Sequence, residues 1–322
     1  MLISIVTPAF NERANLANLH ARLSAALASL NVDWEWIIVD DHSRDDTFAV
    51  VRQLAAMDSR VRGIRLARNA GSHVAITAGL QHATGDAAAV VAADLEDPPE
   101  VLGLMLERWR QGAQVVWASR RRLHGTAPHR LFASVYWWVM RRLVGFEDVH
   151  PTGADCFLID RAVVTAFCRS TEHNISVFAL ITWLGFRQES VEYDKQPRVA
   201  GQSGWTFRRK VKLVVDSVVG FSAFPIWWCF LAGAGLLAAG GLLAVAAVAA
   251  ASWPLGLAAL MCGLAGLQLA ALAVVGQYVW RALDEARGRP LYAIEASAGE
   301  RAGRGRSGEA EITPDIAALP RS

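Results

Sequence analysis

The stretch WIIVDDHSRDDT, residues 36–47, decides the fold. Four apolar residues, typical of a buried strand, lead into a polar turn, and a helix-like segment begins at Asp45. The same order repeats on both sides of this stretch, through residues 1 to about 118. The apolar runs are Ile3–Thr7, Trp36–Val39, Val61–Leu66, Ala87–Ala92 and Gln114–Ala118, and the helix-like segments are Glu12–Ser29, Asp45–Met57, His73–Ala83 and Pro98–Gln111. This alternation predicts an α/β domain with a mostly parallel sheet and helices on both faces.

Polar side chains follow four of the predicted strands, at the point where each strand ends. They are Asn11 and Glu12, Asp40 and Asp41, Arg68 and Asn69, and Asp94, Glu96 and Asp97. Because the ligands of open sheets bind outside the carboxyl ends of the strands, this joint placement predicts one shared ligand site. Single members have other interpretations: Ser43 is a candidate cap for the next helix, and Arg68 is a candidate surface residue.

The segment DLEDPP, residues 94–99, concentrates carboxylates on a strand-to-helix turn. In an extended chain alternate residues point the same way, so Asp94 and Glu96 are predicted to face one metal ion. Hard oxygen ligands suit Mg²⁺ or Mn²⁺, and such an ion also binds phosphate oxygens. The segment therefore predicts a diphosphate ligand, whereas Asp97 is assigned to capping the helix that follows Pro98.

A long uncharged run lies in the second half of the chain. From Ser217 to Trp280, 64 residues contain no Asp, Glu, Lys, Arg or His. A spanning helix needs about 20 apolar residues, which predicts two transmembrane helices at about 225–250 and 255–280 with a turn at Ser252–Pro254. Basic residues flank both outer ends, so the positive-inside rule places both in the cytoplasm. The alternative is a buried helical hairpin in a large core.

The composition divides the chain into segments and argues against a nucleic-acid-binding protein, a disulfide-rich protein and a zinc protein. A net charge of +2 carries no nucleic-acid-binding signature, and four cysteines without paired spacing form neither a disulfide framework nor a zinc site. No signal peptide is expected, because the chain opens on a strand-like run. We predict a cytoplasmic α/β domain (1–204), a juxtamembrane segment (205–222), two membrane helices (223–281) and a cytoplasmic C-terminal segment (282–322), disordered from about 296. Segment 205–222 is either an amphipathic helix on the membrane surface or an ordinary surface helix.

Seven stretches occur in an order that resembles one enzyme family across residues 1–292. They are TPAFNERANL (7–16), VDDHSRDDT (39–47), ARNAGSHVAITAGL (67–80), ADLEDPPE (93–100), GADCFLIDR (153–161), RVAGQSGWTFRRK (198–210) and GQYVWRALDEARGRPLY (276–292). The chain thereby resembles the family 2 glycosyltransferases with a GT-A (Rossmann-like) fold, in the polyprenyl-phosphate branch. That branch includes dolichyl-phosphate mannose synthase and bactoprenyl-phosphate glucosyl- and aminoarabinosyltransferases.

The resemblance implies transfer of one sugar, with inversion, from a nucleotide-sugar (a UDP-sugar) to polyprenyl (undecaprenyl) phosphate at the inner (plasma) membrane. The product would be a lipid-linked sugar donor for cell-envelope glycans such as lipopolysaccharide. The implied nucleotide-sugar pocket comprises Pro8, Phe10, Glu12, Asp40, Asp41, Arg68, Arg198, Ser203 and Trp205. Asp94 and Glu96 would hold Mg²⁺ or Mn²⁺ with the diphosphate, and Arg120, Arg130 and Ser134 would bind the acceptor phosphate. Asp94 and Asp155 are the implied catalytic residues, with Asp155 either a general base or the partner that orients an arginine.

Departures from the family pattern leave two other functions open. Ala92 stands where the family often has Asp, Glu96 replaces a common Gln, and Cys156 and Phe157 replace a Phe-Arg pair. A processive polysaccharide synthase is one alternative, although the expected Gln-x-x-Arg-Trp-like motif is missing. A catalytically silent membrane scaffold that binds nucleotide-sugar is the other, motivated by Ala92. Small residues in both predicted spans permit either homo-oligomerisation or packing within the hairpin.

Overall fold

The computed structural model describes residues 1–120, 154–170, 176–194, 253–286 and 288–299. The strands are β1 (Leu2–Ala9), β2 (Asp33–Asp40), β3 (Val61–Leu66), β4 (Ala87–Val90), β5 (Val115–Arg120), β6 (Ala154–Asp160), β7 (Gln188–Tyr193) and β8 (Ile294–Ala298). The helices are α1 (Leu16–Ala28), α2 (Thr47–Met57), α3 (Ser72–Gln81), α4 (Val101–Arg110), α5 (Arg161–Cys168), α6 (Val177–Trp183) and α7 (Trp253–Ala286).

The strands form one eight-stranded sheet in the order β7-β5-β6-β4-β1-β2-β3-β8. The central strands β4, β1, β2 and β3 run parallel, as the strand–helix alternation predicts. Strand β6 is inserted antiparallel between β4 and β5, and β8 pairs antiparallel with β3 at the far edge. The α/β class is thus confirmed, and the sheet is mixed at both sides of a parallel centre.

Two apolar layers cover the two faces of the sheet. On β1, Ile3 and Ile5 point into the layer formed with α1, α2 and α4, whereas Val6 points into the layer formed with α3, α5 and α6. This division follows from the strand, in which successive side chains alternate between faces. On α1 the buried positions recur at helical spacing and keep that helix on the sheet: Leu16, Leu19, Leu23 and Leu27.

A buried carboxylate ties together the amino-terminal ends of the central strands. Glu35 is 1% exposed and accepts hydrogen bonds from the Ser4 hydroxyl at 2.6 Å and from the Thr84 backbone N–H at 2.7 Å. Arg62 lies 3.3 Å from its other oxygen. Burial alone would raise the pKa of Glu35, but these hydrogen bonds and the Arg62 charge hold it below its ordinary value.

The C-terminal part departs from the sequence prediction in three respects. Helix α7 begins at Trp253, so Trp253 and Pro254, which were predicted to lie in the turn between the two spans, belong to its first turn, where proline is tolerated. Among the residues that the structure describes, no helix is both long enough and apolar enough to cross a membrane, so the predicted hairpin is not confirmed. Strand β8 includes residues 296–298, so an ordered strand extends a few residues past the predicted onset of disorder at about 296. The segments at 205–222 and about 225–250 lie outside the described residues.

Candidate active site

The carboxyl ends of the central strands bring three loops to one edge of the sheet. In the registers, Ala9 of β1 lies opposite Asp40 of β2, and Val6 lies opposite Val90 of β4. Beyond the strands, the Asp41 N–H donates to the Ala9 carbonyl at 2.8 Å, and the Val91 N–H donates to the Val6 carbonyl at 3.0 Å. The loops after β1, β2 and β4 therefore start side by side, as the strand-end argument predicts.

Each of these three loops contains a residue in the left-handed backbone region. Asn11 has φ 58°, His42 has φ 58° and Leu95 has φ 60°. Asparagine tolerates this conformation, but for a buried leucine it costs about 1–3 kcal/mol. Strain of this kind persists where the surrounding structure fixes the loop, and it is often found at functional sites.

Asp40 is a buried member of an ion pair. Its side chain is inaccessible to solvent, and one carboxylate oxygen lies 2.9 Å from Nη1 of Arg65, the residue opposite it on β3. The other oxygen accepts the Ser43 N–H at 3.0 Å. Both oxygens of Asp40 are thus engaged within the protein, where they hold the turn after β2.

Asp41 organises the loop that leads into α3. Its two carboxylate oxygens accept the backbone N–H groups of Ala70 at 2.6 Å and Gly71 at 2.8 Å. Burial raises the pKa of Asp41 above its ordinary value, against the lowering effect of these two hydrogen bonds. Gly71 has φ 96°, a conformation that glycine adopts without strain, so this sharp turn suits the residue present.

The loop after β1 is tied to the loop after β2. The Asn11 N–H donates to the Ser43 hydroxyl at 2.9 Å, and the Glu12 N–H donates to the Thr47 hydroxyl at 2.9 Å. Ser43 therefore does not cap α2, whose N-cap is Asp46. The Glu12 carboxylate accepts from the Asn15 side chain at 2.6 Å.

Two residues predicted to line the nucleotide-sugar pocket expose apolar surface beside the hydrogen bonds that join these two loops. Pro8 is half-buried within β1, and Phe10 is 42% exposed directly after it. An exposed ring beside a sheet edge can stack on a planar ligand.

The loop after β4 carries the two predicted metal ligands. Asp94 and Glu96 are half-buried, whereas Ala93 and Leu95 between and beside them are buried. The Glu96 N–H donates to the Asp94 carboxylate at 3.2 Å, so this segment is a turn and not the extended chain of the sequence argument.

This pair of carboxylates fits a metal ion that is held largely by its substrate. No group of three or more His, Cys, Asp or Glu side chains arranged to hold a metal occurs in the described part of the chain. Mg²⁺ commonly binds one or two carboxylates and completes its shell with water and phosphate oxygens. The donor set of Asp94 and Glu96 therefore suits Mg²⁺ or Mn²⁺ together with a diphosphate.

Asp97 fixes the same loop through a buried contact with β7. It is 2% exposed, and the Tyr193 hydroxyl of β7 donates to its carboxylate. The N-cap of α4 is Glu100, three residues further on, so the structure does not support the capping role predicted for Asp97. Tyr193 lies opposite Arg120 in the β5–β7 register. The segment from Asp94 to Asp97, called the metal loop after its two predicted ligands, thus shares a support with the end of β5.

The backbone brings Asp155 beside the end of β5. Ala118 lies opposite Cys156 and Ser119 lies opposite Ala154, so Asp155 falls in the irregular step between these two pairs. Arg120 ends β5 at the same edge. Irregular steps of this kind often occur beside active sites, where they redirect a side chain.

Other predicted residues are exposed or lie outside the described residues. Arg68 is exposed, two residues beyond the end of β3. Residues outside the described ranges are Arg130, Ser134, Arg198, Ser203 and Trp205.

Sequence reasoning missed Arg65, Tyr193 and the structural use of Ser43. A signal for Arg65 existed, because a buried carboxylate needs a hydrogen-bond or charged partner, and an arginine on the neighbouring strand is a candidate. Choosing Arg65 over Arg62, however, needs the β2–β3 register, which places Arg65 opposite Asp40. Tyr193 lies in a strand that the sequence did not reveal.

Comparison with known proteins agrees with this geometry. Residues 4–167 match the family model described as glycosyl transferase family 2. The chain is 32% identical over 308 residues to an uncharacterized glycosyltransferase of Synechocystis sp., covering 91% of this chain and 94% of that protein. It is 27% identical over 305 residues to a prophage bactoprenol glucosyl transferase homolog of Escherichia coli, covering 92% and 99% of the two chains.

Solved structures resemble the chain more distantly. A glucosyl-3-phosphoglycerate synthase of Mycobacterium tuberculosis aligns with a TM-score of 0.49 and 16% identity, covering 68% of this chain and 79% of that one.

The family match includes the loops after β1, β2 and β4, which meet at one edge of the sheet. The chain therefore belongs to the family 2 glycosyltransferases and is a glycosyltransferase with a GT-A-like α/β domain.

Proposed function

We propose that the chain transfers one sugar from a nucleotide-sugar, such as a UDP-sugar, to polyprenyl phosphate, with inversion at the anomeric carbon. The observation that carries the proposal is that three features lie at one edge of the sheet: the turn held by Asp40, the loop with Asp94 and Glu96, and the end of β5 beside Asp155. Relatives named bactoprenol glucosyl transferases, matched over 92% of this chain, support the lipid acceptor.

The donor half of the site would lie on the loops after β1, β2 and β4. Phe10 and Pro8 offer apolar surface to a nucleobase, beside the turn that Asp40 and Asp41 hold in place. Arg68, and also Arg198, Ser203 and Trp205, belong to this pocket by the family pattern. Asp94 and Glu96 would hold Mg²⁺ or Mn²⁺, which offsets the charge that develops on the leaving nucleoside diphosphate.

The acceptor half would lie at the end of β5 and the start of β6. A phosphate monoester has a second pKa near 6, so the acceptor phosphate is mostly dianionic at neutral pH and needs little general base. It needs positioning and charge compensation, which the guanidinium groups of Arg120 and Arg130 suit. Ser134 adds a hydroxyl donor, and Asp155 orients an arginine or accepts a proton.

A lipid acceptor requires the site to face a membrane. Large apolar side chains of α7 are exposed in the structure: Leu257, Met261, Leu272, Val275, Val279, Trp280 and Leu283. Together with the 64 uncharged residues from Ser217 to Trp280, they support association with the inner membrane. A two-helix hairpin with both ends in the cytoplasm is the arrangement that we propose, and it rests on the sequence.

Release of UDP tests the proposal. The full chain is incubated with Mn²⁺ and single UDP-sugars, with and without a short-chain prenyl phosphate. We expect one donor to give UDP release that depends on the prenyl phosphate and is lost on chelation. UDP release that is the same with and without prenyl phosphate would contradict the acceptor. Nucleotide binding without release, for every donor, would favour a silent scaffold.

A further inference from the structure

Strand β8 pairs with β3 beside the turn at residues 40–43, although it follows the whole of α7 in sequence. The Ala67 N–H donates to the Ala293 carbonyl at 2.9 Å, and the Tyr292 hydroxyl donates to Gln81 at 2.6 Å. The β3–β8 register shifts between Arg65 and Leu66, which lie opposite Ala296 and Ile294. Glu295 falls in this irregular step, beside the end of β3.

The Glu295 carboxylate contacts two residues of the pocket frame. One oxygen accepts from Nε of Arg65 at 2.9 Å and lies 3.2 Å from Nδ1 of His42. Nδ1 of His42 is also 3.1 Å from the Leu66 carbonyl. Because both neighbours of Nδ1 are acceptors, the hydrogen-bond network assigns the ring hydrogen to this nitrogen.

The three guanidinium nitrogens of Arg65 each contact a different partner. Nε binds Glu295, Nη1 lies 2.9 Å from Asp40, and Nη2 donates to the Ser43 carbonyl at 3.1 Å. A guanidinium is a planar fork, so a partner at Nε fixes the direction of both Nη groups. Glu295 therefore orients the donors that hold the buried Asp40 and the turn at Ser43.

We propose that Glu295 is a positioning residue for the donor pocket, acting through Arg65 and His42 on residues 40–43. The inference rests on the proposed function, since it assumes that this turn borders the nucleotide. Glu295 itself is exposed and lies beyond the turn. It thus links the chain after α7 to the geometry of the site.

Measuring the binding of UDP distinguishes a failure of this inference from a failure of the proposed function. The full chain, Glu295→Gln and a matched control, Glu107→Gln on the exposed side of α4, are titrated with UDP in the presence of Mn²⁺. We expect Glu295→Gln to raise the Kd of UDP by roughly fivefold, because Arg65 loses its fixed direction, while Glu107→Gln binds as the unchanged chain does. Turnover at saturating donor is expected to stay within about twofold in both variants, because bound donor restores the turn.

A second variant tests the route through Arg65. Arg65→Lys keeps the charge and loses the fork, so adding Glu295→Gln to it is expected to change the Kd of UDP no further. Equal Kd values for Glu295→Gln and the unchanged chain would overturn the inference. So would a rise in Kd accompanied by an equal loss of saturated turnover and a lower unfolding temperature, which indicates general damage. Failure of the unchanged chain to bind any UDP would overturn the proposed function as well.

Discussion

Asp40 and Asp41 are adjacent in sequence but bind different parts of the molecule. Asp40 pairs with Arg65 on β3, whereas Asp41 accepts two N–H groups at the start of α3. The sequence predicted that both would lie at the carboxyl end of the second strand, and the structure places them there, beside the end of β1. That this edge is a nucleotide pocket stays a prediction. The sequence did not reveal that their oxygens are engaged within the protein, because that depends on register and on the path of a later loop.

Asp94 is the residue whose loss should affect metal use most directly. Asp94→Asn removes a charged oxygen from a two-carboxylate site, so we expect activity to fall on the order of 100-fold and half-maximal activation to need more Mn²⁺. Initial rates measured across a Mn²⁺ titration check this.

Asp33→Asn is the matched control for Asp94→Asn, since Asp33 is exposed at the opposite end of β2. It removes the same charge far from the site. Equal Mn²⁺ requirements in Asp94→Asn and the unchanged chain would count against a metal role for Asp94.

His73, in the first turn of α3, should make stability depend on pH. Its Nδ1 accepts the Val177 N–H at 3.3 Å, its ring packs edge-on against Phe178, and burial lowers the pKa of His73 to about 4. The pKa of a histidine in the unfolded chain is near 6.5. Between pH 6.5 and about pH 4 the unfolded state therefore binds a proton that the folded state does not, so stability falls as pH falls.

His73→Asn keeps an acceptor for Val177 without a titrating ring. We expect unfolding free energies measured at pH 6.5 and pH 5 to differ less in this variant, by on the order of 1 kcal/mol. An unchanged pH dependence would mean that His73 does not carry the effect.

At the scale of elements, the Tyr193–Asp97 contact joins β7 to the metal loop. Tyr193→Phe removes only the hydroxyl that donates to this buried carboxylate. We expect a loss of about 1–3 kcal/mol in unfolding free energy and a higher Mn²⁺ requirement, because the loop carrying Asp94 and Glu96 loses a support. Chemical denaturation and metal titration measure the two effects.

Tyr292→Phe is the comparison for Tyr193→Phe, since it removes a hydroxyl bonded to Gln81 on α3. It should leave the Mn²⁺ requirement unchanged. A shift of the same size in both variants would show that the effect is not specific to the metal loop.

The strands and helices up to residue 118 were predictable because each is a short local pattern. Their observed bounds differ from the predicted ones by a few residues, mostly at helix starts: α1 begins at Leu16 and not at Glu12, and α4 begins at Val101 and not at Pro98. Strands β7 and β8 were missed because QESVEY and IEASA carry little apolar signal. They form strands because β7 pairs with β5 and β8 pairs with β3, and both partners are distant in sequence.

At the scale of the whole molecule, β8 closes the edge of the sheet at β3. A stop after Gly288 removes this strand and leaves the N–H and C=O groups on the outer edge of β3 unpaired, while those facing β2 stay paired, and such an edge favours association between copies. We expect this truncation to lower the unfolding temperature and to elute at larger apparent size in gel filtration. A stop after Gly299 keeps β8 and is the control. Identical unfolding temperatures in the two truncations would contradict a structural role for β8.

The mass of the lipid product tests the central claim most directly. The full chain is incubated with undecaprenyl phosphate, Mn²⁺ and a panel of UDP-sugars, and the lipid fraction is measured by mass spectrometry. We predict an added mass of one sugar from one donor, absent when Asp94 is changed to Asn. Lipid carrying many sugars, or unmodified lipid with every donor that the protein binds, would contradict transfer of a single sugar to polyprenyl phosphate.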